Sequence, residues 1–314
     1  MDIVFFGSSE FAVPALKALL SQGENVSCVV TQPDRKKGRG LFLAATGVKQ
    51  VAQEAKLKIY QPQDINSAES MRYLRELAAD LFVVVAYGQL LSQEVLNIPK
   101  IFAVNIHASL LPKYRGAAPV NRAIIDGERK TGVSIIKVIR KMDAGPLLLQ
   151  KEAPIADEDT AVTLEERLAD MGAGLLLEAF ERIKENNYNL TAQVEAKATL
   201  APKLKKNDGL IRWERSAVQI CNLVRGCLDW PGAFTYYKGK LLKIYKARVS
   251  SQVRKFASSN LGEILEASKE GIVVFAGKGN IIIEELQIEG KRRMRVEEFI
   301  AGHKILPGEI LGQK

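Results

Sequence analysis

The chain has 314 residues, 47% of them hydrophobic and 26% charged, which fits a globular protein of one large or two ordinary domains and excludes a single small domain. No apolar run approaches the ~18 residues needed to span a bilayer, and the opening MDIVFFGSSEF lacks a basic leader and a cleavage site, so a cytoplasmic protein without a membrane partner is expected. The net charge of +9 is lopsided: residues 1–200 carry 24 Lys and Arg against 24 Asp and Glu, and residues 201–314 carry 21 against 12, which suits either a polyanionic partner such as nucleic acid or a solvated basic surface.

Short, largely β-branched apolar runs at 2–6, 26–31, 81–86, 101–106 and 133–138 read as buried strands. Helix-like segments at 10–22, 46–56, 67–78 and 116–126 alternate with them, the pattern of a Rossmann-like, doubly wound, mostly parallel α/β sheet. A long helix at 160–185 opens on a Thr/Glu pattern suited to an N-cap and closes a first domain, 1–188. The polar stretch 189–206, with Pro202 and the cluster Lys203, Lys205 and Lys206, is expected to be a linker. In 207–314 a short helix near 214–227 precedes alternating runs at 233–237, 240–248, 262–267, 271–275 and 280–287, each punctuated by Gly. These predict an OB-like β-barrel, a natural basic surface for nucleic acid.

Cys28, Cys221 and Cys227 are odd in number and lack CxxC spacing, so they read as packing residues and no metal is expected. The first strand-to-helix turn, VFFGSSEFAVPAL, offers only Gly7 where a dinucleotide site needs G-x-G-x-x-G, and no GxxxxGK[ST] occurs anywhere. An open α/β sheet still binds its ligand at the carboxyl ends of its strands. Three such ends carry polar groups: Tyr87 and Gly88 in AYGQLL, Asn105 and His107 in NIH, and Asp143 in RKMDAGPLLLQ. Strand residues i and i+2 share a face, so Asn105 and His107 can point into one crevice. A carboxamide donor, an imidazole and a carboxylate form a set suited to acyl transfer. Taken singly, His107 reads equally as a core histidine and Asp143 as a turn cap; His303 suggests no chemistry.

The stretches GSSEFAVPAL, TQPDRKKGRG, AYGQLL, NIHASLLPKYRGAAPVNRAI, MDAGPLLLQ and DWPGAFTYYKGKLLKI cover the chain nearly end to end and resemble the formyltransferases that use 10-formyltetrahydrofolate. The basic loop and the C-terminal domain narrow the resemblance to the methionyl-tRNA formyltransferases. The chain departs from their pattern in LFLAATGVKQ, where a Pro-containing segment is usual, and in PVNRAI, where PIxxAI is usual.

The resemblance implies formyl transfer from N10 of 10-formyltetrahydrofolate to the α-amino group of methionine on initiator tRNA. It implies that Asn105 and His107 donate to the oxyanion and that Asp143 orients His107 and relays a proton. Ser109, Leu110, Leu111 and Pro112, with Tyr87, Gly88, Gln89 and Leu90, would line the folate pocket. Arg35, Lys36, Lys37 and Arg39, together with Lys203, Lys205 and Lys206, would contact tRNA; as a bare charge run the loop would be solvated surface. A monomer is expected. Two other readings stay open: the same chemistry on a small amine, such as glycinamide ribonucleotide or an amino-sugar nucleotide, and a non-catalytic RNA-binding protein. The basic loop and barrel argue against the first, and the spacing of Asn105, His107 and Asp143 against the second.

Overall fold

A computed structural model of the chain describes residues 1–37, 42–251 and 260–312, with the backbone alone at 35–37 and 42–44. The first elements are β1 (Asp2–Gly7), α1 (Val13–Ser21), β2 (Asn25–Val30), β3 (Arg35–Lys37), β4 (Phe42–Ala44), α2 (Gly47–Glu54), β5 (Ile59–Tyr60), α3 (Ala68–Glu76), β6 (Leu81–Val85), α4 (Gln93–Leu96) and β7 (Phe102–His107). There follow α5 (Pro119–Ile125), β8 (Lys130–Lys137), β9 (Leu147–Pro154), α6 (Ala161–Lys184) and α7 (Ala217–Gly226). Last come β10 (Ala233–Tyr237), β11 (Lys240–Val249), β12 (Ile264–Ser268), β13 (Gly271–Phe275), β14 (Asn280–Ile288), β15 (Met294–Arg295) and α8 (Val296–Gly302).

These elements form two compact units. One comprises Met1–Pro119, Lys130–Pro154 and Glu165–Pro202; the other comprises Val120–Arg129, Ile155–Leu164 and Lys203–Lys314. The expected first domain, 1–188, is therefore interrupted twice, and most of the expected linker, 189–206, belongs to the first unit. Hydrogen bonds account for both features of this division. Thr191 and Leu147 exchange backbone N–H···O bonds of 2.9 and 2.8 Å, which ties the polar stretch to β9. Within the second unit, the Asn121 amide donates to the Gly226 carbonyl, and the Arg225 guanidinium donates to the carbonyls of Ala156 and Asp159.

The sheet of the first unit has the order β5-β2-β1-β6-β7-β8-β9. Strands β5 to β7 in that order are parallel, and the strand order reverses direction beside β1, the switch point of a doubly wound sheet. β8 departs from the expected parallel run and pairs antiparallel with β7, and β9 then pairs antiparallel with β8. A parallel return needs a crossover helix lying on the sheet. The intervening α5 clusters instead with the second unit, so the chain simply reverses.

One face of the sheet is covered by a core of Val4, Phe6, Phe82 and Ala103 with Leu74 of α3 and Tyr87, and the Phe6 ring lies 5.0 Å from that of Phe82. On the other face Ile106 packs against Gly172 of α6. Alternation along β7 thus sends Asn105 and His107 to the same side as Ala103, beyond the end of that core.

The second unit carries a six-stranded antiparallel sheet, β10-β11-β14-β13-β12 with β15 on β14, and its first five strands match the runs read from the sequence. α7 opens with a capping box between Ser216 and Gln219. Elements not anticipated are short or exposed: β5 and β15 have two residues each, α4 four, and β9 alternates irregularly at the sheet edge. Among the described residues no helix is long and apolar enough to cross a membrane.

Fully buried Ser134 of β8 is the fastening between the sheet and the chain that follows β7. Its Oγ donates to the Ser109 carbonyl (2.6 Å) and accepts from the Leu111 N–H (3.1 Å) and the Gln150 amide (2.8 Å). Ser134→Ala leaves these partners unsatisfied in the interior and is expected to cost about 2 kcal/mol. Urea unfolding at an unchanged m-value checks this; an unchanged midpoint would show that the contacts carry no net stability.

Candidate active site

The parallel register aligns the strand ends: Gly7 lies opposite Val85, and Val84 opposite Asn105. The loops after β1, β6 and β7 therefore rise from one edge, and the residues that follow are Ser8, Ala86 to Leu90, and Ala108 onward.

His107 is 6% exposed, and its Nε2 lies 2.9 Å from the Tyr114 carbonyl oxygen. A carbonyl only accepts, so Nε2 carries a hydrogen there; this assignment follows from the partner. Nδ1 faces Asp143 Oδ2 at 3.6 Å, just beyond hydrogen-bond length. The same carboxylate oxygen accepts the Gly116 N–H at 2.8 Å. Asn105 is half-buried, and its carboxamide makes no hydrogen bond among the described residues. Asn105, His107 and Asp143 are thus brought to one edge as expected, with one difference: the His107 donor is directed at Tyr114, which leaves Asn105 as the unengaged donor of the three.

Asp143 arrives by an unexpected route. β8 runs away from His107, which pairs with Ser134, toward Lys137, which pairs with Val104. The turn 138–146 must fold back by roughly three residue rises, ~10 Å, to reach the imidazole. Two residues let it do so. A Cβ on Gly145 would stand 1.8 Å from the Lys137 carbonyl oxygen, and Asp143 itself has a left-handed φ of +49°.

The eight residues expected at the folate pocket divide into two groups. Gly88, at φ +92°, and Leu90, 63% exposed, offer surface, and Leu110 and Pro112 are half-buried. The remaining four hold the loops. The Tyr87 ring is buried edge-on against Phe6, and burial pushes its hydroxyl well above the usual phenol range. Gln89 accepts from Ile65 N–H and donates to the Gln63 carbonyl. Ser109 donates to the Lys113 carbonyl at 2.6 Å, and Leu111 is 3% exposed.

Of the basic residues, Arg35, Lys36 and Lys37 form β3, whose backbone pairs with β4; Arg39 lies outside the described residues. The two ends of this segment are clipped together. Lys49 Nζ lies 2.6 Å from Asp34, the Gln61 amide donates to the same carboxylate at 2.9 Å, and Thr46 caps α2 while bonding Thr31. Lys203, Lys205 and Lys206 are exposed.

Sequence reasoning missed the residues that brace the triad. Arg115, 4% exposed, donates to Gln193 Oε1 through Nε (3.1 Å) and Nη2 (2.8 Å) and to the Glu195 carboxylate through Nη1. Thr199 Oγ1 accepts the Tyr114 N–H at 2.9 Å. Lys141, then Arg115, hold the Glu195 carboxyl below its ordinary range. RGAAP was a visible motif, but Gln193, Glu195 and Thr199 sit in a polar stretch without periodicity, and no local signal marks them. Among the described residues no group of three or more His, Cys, Asp or Glu could hold a metal ion. Burial pushes the thiols of Cys221 and Cys227 up to about 12, which suits packing.

Comparison with known proteins places these observations in a family. Residues 1–180 match the model of the formyl transferase domain, and residues 203–304 match that of the formyl transferase C-terminal domain. The methionyl-tRNA formyltransferase of Geobacter sulfurreducens is 44% identical over 100% of this chain and 97% of its own length. That of Acetivibrio thermocellus is 45% identical over 100% of both chains. Among solved structures, the N-formyltransferase from Helicobacter canadensis in complex with folinic acid and dTDP-3-aminofucose shares the fold, with a TM-score of 0.68, 18% identity, and 90% of this chain and 98% of that chain covered. HypX from Aquifex aeolicus in complex with tetrahydrofolic acid matches 95% of this chain and 46% of its own, with a TM-score of 0.62 and 16% identity.

The clip at Asp34 generates a pH prediction. The hydrogen bonds from Lys49 and then Gln61 hold the Asp34 carboxyl below its ordinary value of 3.8. A lowered folded-state value contributes stability that is complete above the unfolded value and is lost as pH falls through the folded one. The stability difference between the wild type and Asp34→Asn is therefore expected to be constant from about pH 8 to about pH 5 and to shrink below about pH 4. Denaturation midpoints across that range decide it, and a difference that persists undiminished to about pH 2.5 would assign the effect to something other than the carboxylate charge.

Proposed function

The chain belongs to the formyl transferase family, and from that premise we propose that it transfers the formyl group of 10-formyltetrahydrofolate to the α-amino group of methionyl initiator tRNA, a step of translation initiation. The observation that carries the chemistry is the unengaged Asn105 carboxamide beside an imidazole that faces a carboxylate. A full-length match at 44–45% identity to enzymes named for this reaction supports the substrate over a small amine and over a non-catalytic role.

The chemistry needs no covalent intermediate with the protein. A free α-amino group has a pKa of about 7.7–8.0, so an appreciable share of the methionyl amine is neutral at working pH and can attack the formyl carbon. Asn105 donates to the oxygen that becomes an oxyanion, without changing its own charge. Asp143, held by the Gly116 N–H and facing His107, accepts the proton lost by the attacking nitrogen and passes it to N10 as the bond from carbon to N10 breaks. The exposed Gly88 and Leu90 and the half-buried Leu110 and Pro112 supply the apolar and backbone surface that suits a pterin.

The tRNA is held elsewhere on the chain. Arg35, Lys36 and Lys37, with Arg39 beyond them in the sequence, follow β2, and the exposed Lys203, Lys205 and Lys206 begin the basic last third. Residues 1–188 act as the catalytic domain and 207–314 as the OB-like tRNA-binding domain; the break between the two family matches supports that division. A monomer working in the cytoplasm, where charged initiator tRNA is used, completes the reading.

Incubation with labelled 10-formyltetrahydrofolate and either charged initiator tRNA or small amines tests the reading, and label on small amines alone would overturn it. Asn105→Ala is expected to lower kcat by ~100-fold or more with little change in stability, and His107→Ala to lower kcat as much and to lower stability too, because its buried ring bonds the Tyr114 carbonyl. Near-normal turnover in either would remove that residue from the mechanism. Asp143→Asn keeps the shape and loses the charge, so an unaltered pH–rate profile would count against the relay.

The basic loop acts on the other substrate. Neutralising Arg35, Lys36, Lys37 and Arg39 together is expected to lower kcat/KM for charged tRNA by ~10-fold or more while leaving folate binding intact, because phosphate contacts orient only the acceptor. Equal losses in tRNA formylation and folate titration would mean that the loop supports the pocket instead.

A further inference from the structure

The segment 189–202 is the least patterned part of the first unit, yet it makes a dense set of contacts with the reacting edge. Its Thr199 carbonyl accepts the Arg115 N–H (2.9 Å), and its Ala201 N–H donates to the Arg115 carbonyl (2.7 Å). Its Thr199 hydroxyl accepts the Tyr114 N–H. Residues 114 to 116, held in this way, present the carbonyl that receives His107 Nε2 and the N–H that binds Asp143 Oδ2.

Gln193 is the link between this brace and the turn that carries Asp143. Its Oε1 receives two N–H groups of the buried Arg115, and its Nε2 donates to the carbonyls of Asp143 (2.8 Å) and Gly145 (2.7 Å). The amide can sit only one way round, since a flip would set its oxygen against two carbonyls and its NH2 against a guanidinium. Asp143 stands in the left-handed region, which crowds a Cβ against the following carbonyl, so the turn is kept there by the contacts around it. Two hydrogen bonds on either side of Ala144 do so, from a side chain itself fixed by a buried cation.

We propose that Gln193 is a positioning residue for formyl transfer, acting through Asp143: it fixes the main chain of the 143–145 turn so that the carboxylate faces His107. The proposal rests on the assignment of Asp143 to proton transfer, and it adds a residue from outside the strand ends that the fold would nominate. Glu195 and Lys141 complete the outer layer, with Lys141 on the Asp143 turn paired to Glu195 on the 189–202 segment. Loss of Gln193 would leave the folate surface of Gly88 and Leu90 and the basic loop untouched, because none of its hydrogen bonds reaches them.

Two variants separate the halves of the amide. Gln193→Glu keeps acceptors for Arg115 and loses the two donors to the turn; Gln193→Met loses both. Each is expected to lower kcat for tRNA formylation by ~10-fold or more, with KM for charged tRNA and the Kd for 10-formyltetrahydrofolate within about twofold of wild type, as misplacement of a single reacting group demands. The decisive measurement is a cycle with Asp143→Asn: introduced into that background, each Gln193 variant is expected to cost less than about threefold, since its target is already gone. An equal loss in both backgrounds, or a KM rise with kcat unchanged, would overturn the proposal. So would normal kcat in Gln193→Glu, which also serves as the readout if Gln193→Met has a collapsed melting temperature. A wild-type protein that fails to formylate charged tRNA would instead remove the functional reading, and the two failures are distinguished by that control.

Discussion

The turn 138–146 has to double back on the sheet, and the meeting of Asp143 with His107 depends on how it is held there. β8 pairs antiparallel with β7, so the chain leaves the neighbourhood of His107 at Ser134 and ends its strand beside Val104. A carboxylate placed after such a strand lies at the wrong end unless the following residues return. They return through a left-handed Asp143 and a Gly145 for which no Cβ has room, and polar contacts hold them in place. Apolar packing is non-directional and would not set an oxygen to face one ring nitrogen; hydrogen bonds from the Gly116 N–H and from Gln193 do.

The same economy explains why a short run, Tyr114 to Gly116, carries so much. Tyr114 supplies the acceptor for His107, Arg115 the cation that orients Gln193, and Gly116 the donor for Asp143, so displacing that run moves every member at once. A guanidinium that is 4% exposed must be fully satisfied, because an unpaired buried charge costs several kcal/mol. Gln193 and Glu195 meet that requirement, and Glu195 stays ionised beside Lys141 and Arg115. The chain segment that provides them is thus part of the first unit, although its composition is that of a linker.

Charge is distributed on a different plan. The excess of cations lies in residues 201–314, with a further cluster of four in the sequence after β2, while β7, which carries Asn105 and His107, has no Asp, Glu, Lys or Arg. Phosphate contacts give affinity and salt dependence without choosing a reacting atom, and a fixed amide and carboxylate choose the atom without giving much affinity. The clip of Asp34, Lys49 and Gln61 joins the two, since it closes the base of the basic segment against β2 and α2, close to the strand ends.

What the sequence determined by itself follows from periodicity and from motif spacing. The apolar strands of the first sheet and the Gly-punctuated strands of the second are one-dimensional patterns, and Asn105 and His107 share a face for the simple reason that strands alternate. The quoted motifs, from GSSEFAVPAL to DWPGAFTYYKGKLLKI, were enough to name the family. Tertiary structure alone decided the direction of β8, the return of Asp143, the two excursions of the chain into the second unit, and the burial of Tyr87, Ser109 and Leu111 where pocket lining was expected. It also decided that His107 donates to Tyr114 and that Gln193, in a stretch with no pattern, reaches Arg115 and the Asp143 turn. The physical reason is common to these cases: each depends on hydrogen bonds between residues far apart in the chain or on an element too short to have a period, and neither leaves a local trace in sequence.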